Sequence, residues 1–263
     1  MCGIFGIFSS ALEEIDLRRE LITCSSRLRH RGPDWSGYLV IEQDPSKNRP
    51  HPHGIAHERL AIMDPESGSQ PLVSPDGHII VAANGEIYNY KELYGTLKTP
   101  YTPKTGSDCE VILPLYEEHG ATVDLCKNLR GMFSFILYDR NTDTYLAARD
   151  HIGITPLYIG WGNDGSVYLA SELKCLIGEC TKFQNFPPGH LYVSKGAQAG
   201  TFQRWYTPNW APEMKPGAPL PKEKYSAVRK GYYVETISTT VSFTNPFLLL
   251  ILICYIGYFA PCI

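Results

Sequence analysis

Cys2 is the residue whose position is most suggestive of chemistry. It follows Met1 directly, in Met1-Cys2-Gly3-Ile4-Phe5-Gly6. A side chain as small as cysteine's lets an aminopeptidase remove Met1, which would leave a thiol and a free α-amine on neighbouring carbons. An α-amine titrates at about 7.7–8.0 and a thiol at about 8.5, so the amine is partly neutral at physiological pH and can serve the thiol as base. An N-terminal nucleophile served by its own amine is a known way to activate Ser, Thr or Cys. The same residues also read as the start of a buried strand.

Acyl transfer by such a thiol needs an oxyanion hole and a substrate anchor. Asn84-Gly85 closes an apolar run and offers a side-chain NH2 and a backbone N–H that a ligand can approach closely. Asn-Gly is equally the commonest signature of a type I′ hairpin turn. Arg59, in His57-Glu58-Arg59-Leu60, can bind a carboxylate bidentately or sit on a strand surface. Asp108 lies in the first turn of an expected helix, where the dipole alone favours a carboxylate; it can also hold an ammonium. One Arg, one Asp and one thiol would together grip an α-amino acid and attack its side chain. His151, beside Asp150, is read as structural, because the N-terminal amine already supplies the base.

The elements that must position these groups follow from periodicity and breakers. Residues 3–8 read as a strand. Leu17, Leu21, Cys24 and Leu28 recur at helical spacing between Ala11 and Leu28. Arg31-Gly32-Pro33-Asp34 ends that helix. Strands are expected at Gly37–Glu42, Gly54–Ile62 and His78–Ala83, and a short helix at Asn89–Leu97. Ser107 and Glu110 have capping-box spacing ahead of a helix whose apolar face is Val111, Ile112, Leu115 and Tyr116. Strands follow at 132–139, 144–149, 156–161 and 166–170, then a short helix at 172–177 and a hairpin of Leu191–Ser194 with Thr201–Trp205. Many strands, short turns and two helical regions favour antiparallel sheets layered with helices over a parallel α/β fold.

The 263 residues carry a formal net charge of −3, 43% hydrophobic and 19% charged residues, an ordinary globular composition with no basic run to bind nucleic acid. The eight cysteines form no CxxC pair and no zinc spacing. With no basic leader ahead of Cys2, the expected setting is reducing and cytoplasmic.

The segments MCGIFGIF, RHRGPDWSG, HERLAIMD, NGEIYNY, TGSDCEV, GMFSFILYD, ARDHIGITPLYIG, ASELK and FPPGHLY occur in one order. Over residues 2–207 this series resembles the N-terminal glutaminase domain, a class II glutamine amidotransferase, of the glutamine-hydrolysing asparagine synthetase family. RGPDWSG and HERLAIMD differ from the RGYDS and HTRWATHG expected of the glucosamine-6-phosphate synthase branch. The resemblance implies an α+β fold, a four-layer αββα sandwich of the N-terminal nucleophile hydrolase type. It implies Cys2 as the nucleophile that forms a γ-glutamyl thioester, and Asn84 and Gly85 as the oxyanion hole. It implies Arg59 as the anchor of the glutamine carboxylate, with Leu60, Ala61, Ile62 and Met63 completing that segment. Asp108, with Glu86 beside it, would hold the α-ammonium. The implied glutaminase needs no metal or cofactor; ATP and Mg would belong to the synthetase domain that uses the ammonia to make asparagine from aspartate.

That second domain's SGGxDS loop is absent from the sequence. Residues 208–230 read as a Pro-rich linker and the start of the synthetase domain. Residues 231–263 are atypical. Thr236–Ile263 has no charged residue, Phe247–Ile256 is unbroken apolar, and only Gly257 and Pro261 interrupt the run to the end; its length of about 17 residues is at the lower limit for spanning a bilayer, where roughly 20 are normal. Two readings stand: translated non-coding sequence, or a membrane anchor. The expected activity is glutaminase without asparagine synthesis, with glutamine as substrate and a homodimer or an intact synthetase as partner. The alternative is a non-catalytic product that pairs with an intact synthetase and keeps Met1, which blocks the amine.

Overall fold

The computed structural model describes residues 1–47 and 49–207. The expected linker at 208–230 and apolar tail at 231–263 therefore fall outside the described residues. Two six-stranded antiparallel sheets stack face to face, in the orders β10-β8-β9-β1-β3-β2 and β12-β11-β7-β6-β5-β4. The strands are β1 Gly3–Phe8, β2 Trp35–Ile41, β3 His53–Arg59, β4 Leu72–Val73, β5 Ile79–Ile87, β6 Gly131–Asp139, β7 Thr144–Arg149, β8 Tyr158–Trp161, β9 Val167–Ala170, β10 Lys182–Asn185, β11 His190–Val193 and β12 Phe202–Arg204. The helices are α1 Glu14–Ser26, α2 Tyr90–Thr96, α3 Ile112–His119 and α4 Asp124–Lys127.

Three separate cores define four layers. Alternation along β1 sends Phe5 and Ile7 to one face and Ile4 and Phe8 to the other. Phe5 and Ile7 pack with Leu17, Leu21 and Cys24 of α1. Ile4 and Phe8 meet Ile80, Ala82, Ile136 and Tyr138 of the second sheet. The opposite face of that sheet, including Val81, Phe133 and Phe135, packs on Leu93 of α2 and on Ile112, Leu115 and Tyr116 of α3. The molecule is thus an α+β sandwich with α1 outside one sheet and α2–α4 outside the other. Leu17, Leu21 and Cys24 supply the i, i+4, i+7 stripe that folds α1. The helix begins at Glu14, three residues later than the apolar spacing suggested, and places Glu14 and Asp16 in its first turn, where the dipole favours them.

Two local expectations change. Asn84-Gly85 is neither a hairpin turn nor a strand end: β5 continues to Ile87, pairing Asn84 with Ser134 and Gly85 with Phe133 on β6. Ser107 and Glu110 make no capping box. The chain first forms a 3-10 turn over Asp108–Val111, and Ser107 makes no side-chain cap bond. The Glu110 carboxylate instead pins the preceding loop, accepting from Tyr101 Oη, Lys104 N–H and Thr105 N–H. β4, which the sequence reading did not foresee, is a two-residue strand that covers β5 only at Ile80 and Val81. The rest of that edge of β5 is left open, and the candidate site is built there.

Candidate active site

Cys2 sits one residue ahead of β1, on the face that β1 turns toward the second sheet. Its backbone is held from both sides: Arg31 Nε donates to the Cys2 carbonyl at 2.9 Å, and Ser171 Oγ accepts the Ile4 N–H at 2.9 Å. The thiol lies against Leu60, whose N–H approaches Sγ at 3.4 Å and whose carbonyl lies 3.7 Å away. Burial pushes the thiol's pKa up, against the opposing pull of the Leu60 N–H and the nearby charges of Arg59 and Arg31. A thiol so placed is protonated at neutral pH and needs a base before it can attack. Met1 lines the same cleft.

The loop Arg31-Gly32-Pro33-Asp34, read from the sequence as structural, does more than turn the chain. A Cβ on Gly32 would stand 2.2 Å from the Glu58 carbonyl, so only glycine lets this loop lie against β3. Arg31 then reaches Cys2 from that loop. Asp34 Oδ2 accepts the Ala61 N–H at 2.8 Å, fixing the segment after β3.

Arg59 ends β3 and lines the cleft. Its guanidinium donates to the carbonyls of Pro65 at 3.1 Å, Met63 at 3.0 Å and Asp64. Three of its five N–H donors are used, and two remain for a ligand. Asp108 is buried in the same cleft; its Oδ2 accepts the Ile87 N–H at 2.5 Å. Burial pushes its carboxyl pKa up, aided by the charge of Glu86 and opposed by the Ile87 N–H. Among the described residues neither Arg59 nor Asp108 has an ion-pair partner, although each is 5% exposed. A buried cation and a buried anion thus share one cleft without an ion-pair partner, an arrangement that is costly unless an opposite charge meets each.

Gly85 takes φ +140°, and a Cβ there would stand 2.0 Å from the Met132 carbonyl, so glycine is required. The antiparallel alternation turns the backbone groups of residues 83, 85 and 87 off β6 toward the open edge. The Gly85 N–H therefore faces the cleft. Asn84, its neighbour, shares the inter-sheet face with Ala82 and Ile80. It is fully buried, and neither Nδ2 nor Oδ1 has a hydrogen-bond partner.

The structure thus brings Cys2, Arg59, Leu60, Ile62, Met63, Gly85, Glu86 and Asp108 to one cleft. It does not bring Ala61 to the cleft wall, and the Asn84 side chain lies behind the wall. The sequence reading missed Gln70, Ser107, Cys109 and Met132, which also line the cleft. Cys109 Sγ lies 3.8 Å from the Gly85 carbonyl and 3.9 Å from Asp108 Oδ2. Cys109 and Ser107 flank Asp108, and Met132 lies one register step from Gly85's partner Phe133, so adjacency to the assigned residues was the available signal. Gln70 had none.

A cysteine one residue from the N-terminus, on a cleft shared with a buried Arg and a buried Asp in an antiparallel αββα sandwich, is the arrangement of N-terminal-nucleophile amidotransferases. The family model for the glutamine amidotransferase domain matches residues 1–199, and the chain belongs to that family. It is similar to asparagine synthetase [glutamine-hydrolyzing] 3 of Arabidopsis thaliana, 51% identical over 220 residues, which cover 83% of this chain and 35% of that protein. It is similar also to asparagine synthetase [glutamine-hydrolyzing] of Zea mays, 50% identical over 220 residues with the same coverage. The chain spans about a third of the length of these relatives, 35% of each. Its fold resembles that of glutamine phosphoribosylpyrophosphate amidotransferase from B. subtilis, with a TM-score of 0.60 at 21% identity over 79% of this chain and 50% of that one.

Proposed function

We propose that this domain hydrolyses glutamine to glutamate and ammonia through a Cys2 thioester, after removal of Met1. The observation that carries the reading is the buried, unneutralised pair Arg59 and Asp108 on the cleft that also holds the Cys2 thiol. Arg59 takes the α-carboxylate and Asp108, with Glu86, the α-ammonium. Leu60, Ile62 and Met63 form the wall beside the side chain.

The α-amine of Cys2 accepts the thiol proton, and sulfur attacks the amide carbon. The Gly85 N–H holds the oxyanion, a contribution worth about 10²–10³ in rate for such a donor. The Cys2 ammonium then returns the proton to the leaving nitrogen, the C–N bond breaks and ammonia departs. Water, activated by the same amine, attacks the thioester carbon and releases glutamate and the thiol. Thiol, amine and fixed donors suffice for every step, so the reaction requires no metal or cofactor. Where the domain is joined to or associated with a synthetase domain, that ammonia would serve ATP-dependent asparagine synthesis, with ATP and Mg bound there. The six described cysteines are all free thiols, which supports a cytoplasmic setting.

The test is glutamate release by the purified chain without ATP or aspartate, beside Cys2→Ala, with the N-terminus read by mass spectrometry. Chains starting at Cys2 should release glutamate, and Cys2→Ala should lower the rate by at least 10³-fold. A folded chain that starts at Cys2 and releases none would refute the reading. A second reading is a non-catalytic partner of an intact synthetase, in which a retained Met1 blocks the amine. Retention of Met1 in chains isolated from cells would support it.

A further inference from the structure

The edge of β5 that faces the cleft outruns its neighbour. β4 pairs only with Ile80 and Val81, so no strand receives the backbone groups of residues 83, 85 and 87. Side chains take that strand's place. Gln70 Oε1 accepts the Ala83 N–H at 2.7 Å, and His57 Nε2 donates to the Ala83 carbonyl at 3.0 Å. Asp108 takes the Ile87 N–H at 2.5 Å. The two side chains that hold Ala83 come from different parts of the fold. His57 stands on β3 of the other sheet, two residues before Arg59, and Gln70 stands in the segment before β4. Both are buried, and His57 is fully so.

We propose that His57 and Gln70 are positioning residues that clamp Ala83 and so aim the Gly85 N–H at the oxyanion. What is being aimed rests on the glutaminase reading; the clamp itself does not. The bond to the Ala83 carbonyl fixes the Nε2–H tautomer of His57. The other ring nitrogen, Nδ1, has no partner. Burial lowers this histidine's pKa to about 4, so the ring is neutral at the pH of any ordinary assay. Because His57 lies on the strand that carries Arg59, the clamp also ties the carboxylate anchor in one sheet to the oxyanion donor in the other. An oxyanion exists only in the transition state, so a misaimed donor costs turnover and not binding. A displacement of about 1 Å costs on the order of 10²-fold.

The experiment compares His57→Leu and Gln70→Leu, which remove the bonds, with His57→Gln and Gln70→Glu, which keep a donor and an acceptor at the same reach. Turnover and KM for glutamine are measured per folded molecule in the full chain. Amide hydrogen exchange is followed across Ala83–Gly85. The clamp predicts that the Leu variants lose about 10- to 100-fold in kcat with KM within twofold, and that Ala83 exchanges faster. The conservative variants should recover most of both. Should His57→Leu not fold, His57→Asn, polar but too short to reach Ala83, takes its place. Leu variants with unchanged kcat, or conservative variants as impaired as the Leu ones, overturn the proposal. A correctly processed wild type that releases no glutamate strikes the glutaminase reading alone. The exchange arm then decides the clamp, and unchanged exchange at Ala83 in both Leu variants overturns it.

Discussion

Strand β3 carries two buried histidines four residues apart, His53 and His57, on the same face and at opposite ends of the space between the sheets. Their surroundings differ in kind. At His53, Nδ1 accepts the Ser9 N–H at 3.0 Å and Nε2 bonds Asp143 Oδ1 at 2.9 Å. Asp143 also takes Tyr138 Oη at 2.8 Å and Lys195 Nζ at 2.9 Å. Phe8 stacks on Tyr145 beside them at 4.3 Å between ring centres. At His57, by contrast, Nδ1, both polar atoms of Asn84 and Ser134 Oγ are buried without partners. Each such group costs about 1–3 kcal/mol. At the first end both ring nitrogens of the histidine and the Asp143 carboxylate are partnered, and that end serves the scaffold. The other leaves charges and dipoles unmatched, a pattern that destabilises the empty fold and favours a ligand that matches them.

Asp108 gives the largest test of that contrast. Asp108→Asn keeps an acceptor for the Ile87 N–H but removes the charge that, in the proposed function, faces the glutamine ammonium. Losing one partner of a buried charge pair costs roughly 2–5 kcal/mol, so kcat/KM should fall by about 30- to 4,000-fold, mainly through KM. Stability should move the other way. Burial raises the folded pKa of Asp108, so the unfolded chain ionises first, and the folded state is penalised as pH rises above the ordinary carboxylate range. Asp108→Asn removes that penalty, and its thermal midpoint should exceed the wild type's at pH 7 and match it near pH 3. A variant that loses both activity and stability would erase the distinction between the two ends.

The α+β class and the inward set of β1 were legible because Ile and Phe alternate around glycines at period two. The stripe of α1 was legible at period 3.6. Cys2, Arg59 and Asp108 could be chosen as candidates because thiol, guanidinium and carboxylate are the groups an amino-acid amide needs. Asn84-Gly85 could not be settled by pattern, since turn and strand use the same dipeptide. Register decides it, through the Phe133 pairing and the crowding of Met132 against Gly85. β10 went unseen because all four of its residues are exposed and show no apolar period. Gln70 and His57 were invisible as a pair, because what they share is the backbone of Ala83, whose N–H meets one and whose carbonyl meets the other.

At the His53 end, Asp143→Asn should act on stability and leave turnover per folded molecule unchanged. It loses the charge that gathers His53, Tyr138 and Lys195, and unfolding free energy should fall by roughly 1–3 kcal/mol at pH 7. Those three donors hold the Asp143 carboxyl at about 2, below its ordinary 3.8. A carboxylate depressed in the folded state stabilises above its unfolded pKa, and that contribution disappears as pH falls from near 4 toward 2. Wild-type denaturation midpoints should therefore drop across this window, and Asp143→Asn should flatten the drop. Burial lowers the pKa of His53, so the unfolded chain takes up its proton first, which adds an earlier loss of stability as pH falls through 6.5. Altered glutamine turnover in folded Asp143→Asn would show that the two ends are coupled.

The smallest effect tests where the cleft wall ends. Ile62 and Met63 line the cleft and are 64% and 41% exposed, so each offers its apolar surface to a bound side chain. Ala61 precedes them but does not line the cleft, and its N–H bonds Asp34 Oδ2. Full burial of a large apolar side chain is worth about 1.5–3 kcal/mol, and these two residues can contribute only part of that. Ile62→Ala and Met63→Ala should therefore raise KM for glutamine by about two- to tenfold. Ala61→Ser keeps the backbone bond and adds a hydroxyl that points away from the wall, so its KM should stay within twofold of wild type. A larger change at Ala61 than at Ile62 would mean that the bound ligand extends past Leu60 toward the Asp34 loop, and the receptor would then include that loop.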